Sequence, residues 1–143
     1  MINRIGTILI CVLTLAANVG AEEKSDQKNI QGKWKIESAL HGGKAMPEEA
    51  KNSAILVIDG SKMKMTMTAN GKEQVIEMTF KLDSTKKPRA IDVDINGMPG
   101  LGIYSLEGDT LKICHGESGD PRPTEFASTE GNKLALVVLK RVK

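Results

Sequence analysis

Residues Lys62 to Thr68 alternate without a break: Met63, Met65 and Met67 take one parity, Lys62, Lys64, Thr66 and Thr68 the other. A period of two over this length is the mark of a half-buried β-strand. Asn70-Gly71 follows, the dipeptide best suited to the two positive φ angles of a tight hairpin. The chain then returns from Lys72 to Leu82, with Ile76, Met78, Phe80 and Leu82 on one face and Glu77, Thr79 and Lys81 on the other. A hairpin with one dry face must bury that face. No long helical period exists to cover it, so the cover has to come from further strands.

The rest of the chain supplies them. Ile30 to Leu40 opens with Gly32 and the only tryptophan, and sets Trp34, Ile36 and Ser38 against Lys33, Lys35 and Glu37. Ala54 to Asp59 is a continuous apolar run, and Ala90 to Asn96 places Ile91, Val93 and Ile95 inward. Leu101 to Glu107 and Thr110 to His115 flank Gly108, and Lys133 to Arg141 is a last apolar run predicted to pair back against the first strand. Gly42-Gly43, Gly60-Ser61 and Gly97-Met98-Pro99-Gly100 read as turns, and Asp83 to Arg89 as a turn-rich loop. Pro47 to Lys51, a proline followed by acids, predicts one short helix. Gly116 to Asn132 is the longest irregular connection, either a lid or an unrecognised strand partner. The expectation is an all-β fold: an eight-stranded antiparallel up-and-down barrel with one short helix, favoured over a two-sheet sandwich because closure leaves no open edge.

The first 21 residues have a different character. Arg4 precedes an apolar run from Ile5 to Ala17, and Val19, Gly20 and Ala21 lead into the charged stretch EEKSDQK. This is the layout of a secretory signal cut after Ala21, and the run is too short for a stable membrane-spanning helix. The expected organisation is a signal peptide over 1–21, a flexible lead-in over 22–29 and one barrel domain over 30–143, in a secreted or periplasmic protein. Beyond Ala21 the 20 basic residues lose only Arg4, leaving near balance against 18 acidic ones. Nucleic acid, which calls for a concentrated basic face, is an unsuitable partner. Cys114 is the one cysteine beyond the signal, so no internal disulfide is possible and packing must supply stability.

Four segments together carry a family likeness: IQGKWKI at Ile30–Ile36, LDSTKKPRAID at Leu82–Asp92, GIYSLEGDTLKIC at Gly102–Cys114, and RPTEF at Arg122–Phe126. The sequence resembles the planctomycete-type lipocalin-like domain of unknown function. The resemblance covers nearly all of residues 22–143 and implies an exported lipocalin-like barrel, with no assigned activity. In lipocalins the tryptophan of Gly-x-Trp packs beneath an arginine near the end of the last strand. By that resemblance Gly32, Trp34 and Arg141 close the barrel floor.

No catalytic or metal constellation is legible. Asp92, Asp94, Asn96 and Gly97 match the first half of a calcium loop, but the twelfth position is Ile103 instead of glutamate. Glu107 and Asp109 as a glycosidase pair would need an aromatic-rich cleft, and the chain holds four aromatic residues in all. Cys114 and His115 are neighbours on a strand and point to opposite faces, so they cannot form a nucleophile and base pair; the thiol reads as structural, packed under the long loop. Met63, Met65 and Met67 could bind Cu(I) with Met78, His115 or Cys114, but their alternation is already explained by lining an interior. The expectation is therefore neither an enzyme nor a metal or cofactor protein. It is a carrier holding a small apolar or amphipathic ligand among Met63, Met65, Met67, Met78, Phe80, Ile91, Val93 and Ile103. The alternative is a filled barrel that recognises a protein partner through loop 116–132.

Overall fold

The computed structural model describes residues 25–143. The signal segment expected over 1–21, and residues 22–24 of the lead-in, lie outside them. Nine strands run in chain order: β1 (Gly32–His41), β2 (Lys44–Ala45), β3 (Ile55–Asp59), β4 (Lys62–Ala69), β5 (Lys72–Asp83), β6 (Ala90–Ile95), β7 (Met98–Glu107), β8 (Thr110–His115) and β9 (Ala135–Arg141). Each neighbouring pair is antiparallel, and β9 pairs back onto β1 from Trp34↔Arg141 to His41↔Ala135. The two-residue β2 hangs on β1 alone, so the closed ring has eight strands. The fold is an all-β, lipocalin-like up-and-down barrel. No helix among the described residues is long and apolar enough to cross a membrane.

The turns follow from the residues that can adopt them. Asn70 and Gly71 have φ of 53° and 74°, the mirror-image turn that the twist of two antiparallel strands favours. Asn96 and Gly97 repeat the device at 54° and 80°. This displaces the turn expected at Gly97-Met98-Pro99-Gly100 by one residue, and Met98, Pro99 and Gly100 become the start of β7, paired with Ile95, Asp94 and Val93. Asp94, expected on the solvated face, accepts a hydrogen bond from the Gly97 N–H at 2.8 Å and so fixes the turn. The calcium-like string is thus a strand end and its hairpin.

A register shift between Ile36 and Ser38 in the β1–β9 ladder marks a bulge. An extra residue reverses the phase beyond it. Ala39 is buried and Ser38 exposed, the reverse of simple alternation from Trp34.

The lead-in differs more. Residues 25–29 form a helical turn, α1, so the described residues hold two short helices instead of one. Polar composition without a period gave no sign of this, because α1 is held by tertiary contacts. The Asp26 carboxylate accepts from the Tyr104 hydroxyl at 2.6 Å and from Arg89 Nη1 at 2.8 Å, and the Arg89 guanidinium lies 5.2 Å from the Tyr104 ring. Gln27 donates to the Gly60 carbonyl at 2.7 Å, and Ile30 is fully buried. Residues 25–30 therefore plug one end of the barrel. Ile58, Phe80, Leu82, Ile91, Tyr104 and Leu111 fill the interior above that plug.

Barrel closure occurs at the same end. The Trp34 indole N–H donates to the Ile30 carbonyl at 2.9 Å, and the Arg141 guanidinium sits 4.3 Å over the Trp34 ring. Arg141 also donates to the carbonyls of Gln31, at 2.8 Å, and Asn29. Asp109 lies 3.4 Å from Arg141 Nε and 3.1 Å from Lys143 Nζ; the Lys143 ammonium, and then Arg141, hold its carboxyl below the usual range. Gly32 has φ of 117°, and a Cβ there would stand 3.4 Å from Arg141 Nη1. All three residues expected at the floor are found there together.

The opposite end is framed by α2 (Glu48–Ser53). Pro47 sits just before the helix, where its missing N–H costs nothing. Both Glu49 carboxylate oxygens accept from the Asn70 and Gly71 N–H groups, at 3.1 and 3.2 Å, and Ser53 Oγ accepts from the Thr68 N–H at 2.8 Å. These bonds latch α2 to the β4–β5 hairpin along one side of the rim.

Candidate functional site

Eight strands enclose just enough room for side chains or one small molecule. Here the two ends of the barrel divide that room. Above the filled floor lies an apolar hollow of about 230 Å³. β4 contributes Met63 and Met65 to its wall, β5 Ile76 and Met78, and β6 Val93 and Ile95. β3 adds Leu56, β8 Ile113 and His115, β9 Val137 and Leu139, and Met46 leans in from the rim segment before α2. Met63 and Met78 are direct cross-strand partners, so their thioethers line one stretch of wall. His115 is the only lining side chain with a hydrogen-bonding nitrogen.

Of the eight residues expected in the lumen, Met63, Met65, Met78 and Val93 line this hollow. Met67 packs against the core further toward the rim, partly buried. Phe80 and Ile91 belong to the filled lower half. Ile103 is a correction: it pairs with Ala90 and Cys114, opposite in phase to inward Ile91 and Tyr104, and so lies on the outer wall. It is fully buried because the 116–132 loop covers that wall. Burial alone does not distinguish inside from outside where a loop lies over a barrel. His115 shares the phase of Leu111 and Ile113, which is the signal that would have placed it inside.

β7 narrows the interior in a particular way. Gly100 and Gly102 face inward opposite Val93 and Ile91, and Gly102 pairs across to His115. A Cβ on Gly102 would fall 2.8 Å from the Cys114 carbonyl oxygen and 2.9 Å from His115 Cβ. Glycine is required for that approach of β7 to β8. Gly102→Ala is expected to lower the urea midpoint by an amount worth about 1–3 kcal/mol, the cost of overpacking against atoms that cannot yield.

A second space of about 390 Å³ adjoins the hollow, shares Val93, Ile95 and His115 and adds Met98, Gly100, Gly116, Glu117 and Ser118. A larger depression of about 430 Å³ runs over the outer wall past Asp59, Lys62, Lys64, Glu77 and Asp94. Its charged lining offers an apolar molecule little shelter.

The long loop is neither a lid nor a strand. Arg122 reaches the outer wall, donating to the Gly102 carbonyl at 2.8 Å and pairing with Asp92 at 2.8 Å. Ser128 donates to the Leu134 carbonyl at 2.6 Å and accepts from the Gly43 N–H at 3.0 Å. Cys114, fully buried beneath, points its thiol at the Ala127 carbonyl 3.6 Å away. Burial pushes that thiol above its ordinary 9.0. The folded state therefore holds this proton more tightly than the unfolded chain. The contribution is complete below about pH 9 and is lost as pH climbs through the folded value. Accordingly, Cys114 should resist a thiol-specific disulfide reagent at pH 8 in native buffer and react fully in denaturant; fast native labelling would mean the loop does not seal it.

Among the described residues no group of three or more His, Cys, Asp or Glu side chains is placed to hold a metal ion. Comparison of the chain with protein-family models, with curated proteins and with solved structures returns no match.

Proposed function

We propose that this is an exported lipocalin-like binding protein whose cargo is a small apolar or amphipathic molecule held in the upper half of the barrel. The observation that carries the reading is the 230 Å³ hollow walled chiefly by methionine, isoleucine, leucine and valine from β3, β4, β5, β6, β8 and β9, with Met46 before α2. A cavity of about 150 Å³ with such walls takes up benzene, so this one suits a molecule of roughly ten non-hydrogen atoms. Burying roughly 200 Å² of such a ligand at about 25 cal/mol per Å² yields about 5 kcal/mol, a dissociation constant on the order of 0.1–1 mM before specific polar contacts. Methionine suits the role because its unbranched thioether adapts to differently shaped guests.

Export rests on the Met1–Ala21 layout, and kinship with planctomycete-type lipocalin-like domains rests on the four segments that resemble them. The upper hollow favours a cargo over the alternative of a filled barrel that binds a protein through loop 116–132.

Native mass spectrometry of the protein purified from its own host tests both parts. The expected result is a chain beginning at Glu22 that carries an added organic mass lost on denaturation. A chain retaining residues 1–21 would contradict export. An added mass equal to copper would replace the organic cargo with a metal on the thioethers, and capture of a protein partner by loop 116–132 with no small-molecule uptake would favour the alternative.

A further inference from the structure

The hollow has one side chain with a hydrogen-bonding nitrogen, and a neighbouring carbonyl selects its neutral tautomer. His115 Nδ1 lies 3.1 Å from the carbonyl oxygen of Gly116. A carbonyl oxygen only accepts, so the hydrogen of the neutral ring is on Nδ1 and the lone pair is on Nε2. With Nδ1 occupied by the Gly116 carbonyl, Nε2 is the ring nitrogen left for a guest, and His115 lines both the inner hollow and the outer space. The glycine at position 102 lets the strand bearing the ring stand this close. Glu117, at the edge of the outer space, is turned to the surface, where its carboxylate lies 3.6 Å from His41 Nε2. His115 thus offers a guest one acceptor, the Nε2 lone pair.

We propose that the cargo carries a hydrogen-bond-donating head, a hydroxyl or an amine, on a compact apolar body, and that His115 Nε2 accepts from that head while the body fills the methionine-lined hollow. This inference rests on the lumen reading above and adds the chemical class of the cargo. A carboxylate head is disfavoured, because it brings no donor to the Nε2 lone pair and loses its hydration against apolar walls. An ether of the same shape fills the hollow and leaves Nε2 unpaired in a half-buried place.

The test is calorimetric titration of the full barrel at pH 7.5 with 4-ethylphenol, 4-ethylanisole and 4-ethylbenzoate, repeated on His115→Leu and His115→Gln. The phenol should bind roughly fivefold tighter than its methyl ether, the size of one net hydrogen bond, and the benzoate weakest of the three. His115→Leu should erase the phenol's advantage while the ether still binds, and His115→Gln, which keeps an acceptor oxygen, should restore part of it. Equal binding of phenol and ether to the natural protein, tightest binding of the benzoate, or a phenol preference that survives in His115→Leu would each overturn the assignment of the head while leaving a lumen site intact. Failure of all three probes to bind would overturn the lumen reading and this inference with it.

Discussion

Replacing Arg141 by leucine is expected to cost about 3 kcal/mol and lower the melting temperature by roughly 10 °C. One guanidinium covers the Trp34 ring, satisfies the Gln31 and Asn29 carbonyls, and pairs with Asp109. Leucine fills some of the volume but supplies no donor, so two carbonyls at the plugged end lose their partners and the β1–β9 seam loses its clasp. Arg141→Lys should fall in between, since an ammonium keeps the charge over the ring without the planar fork that reaches two carbonyls at once. A double-mutant cycle with Trp34→Phe isolates the ring contact, with an expected coupling of about 0.5–2 kcal/mol. A melting temperature unchanged in Arg141→Leu would mean that the barrel closes by strand pairing alone.

The second large effect concerns the hollow. Met65→Glu places a carboxylate in the methionine wall, midway between the filled floor and the rim. Its desolvation disfavours an apolar guest, and water drawn in to hydrate it occupies the guest's space. Uptake of an apolar probe such as toluene should fall at least tenfold, with the circular dichroism of the barrel retained. Should the charged variant fail to fold, Val93→Phe asks the same question by volume alone. It fills the hollow from β6 without adding charge, and should reduce uptake while leaving stability equal or higher. Undiminished uptake by a folded Met65→Glu or Val93→Phe variant would place the probe elsewhere on the molecule.

The strands were legible because their signals are local. Strict alternation at Lys62–Thr68 and Lys72–Leu82, with Asn70-Gly71 between them, leaves one way to pair, and the register found runs from Lys62↔Thr79 to Ala69↔Lys72. The floor was legible by resemblance, through Gly32, Trp34 and Arg141. Two features were not legible, each for a physical reason. The bulge at Glu37 is an irregularity in pairing that neither neighbour's side chain announces, and it turned Ser38 outward. The helical turn at 25–29 depends on Asp26 meeting Arg89 and Tyr104, partners 63 and 78 residues away in the chain. The site was half legible: alternation identified Met63, Met65, Met78 and Val93 as inward, but it gives no height along the barrel. Phe80 and Ile91 therefore could not be told apart from the cavity wall, although they belong to the filled floor. Ile103 went astray because the outer wall beside it is covered by a loop whose anchors, Arg122 and Cys114, act over sequence distance.

Binding inside the barrel is tested most directly by the ¹³C-methyl NMR spectrum of methionine-labelled protein during titration with toluene. Met46, Met63, Met65 and Met78 line the hollow, whereas Met67 packs outside it and Met98 is exposed at the rim. A guest in the hollow should give saturable shifts for the first four methyls along a common binding curve, with Met67 and Met98 nearly stationary. No shift at toluene concentrations near its solubility limit, or shifts spread evenly over all six, would contradict a binding site inside the barrel.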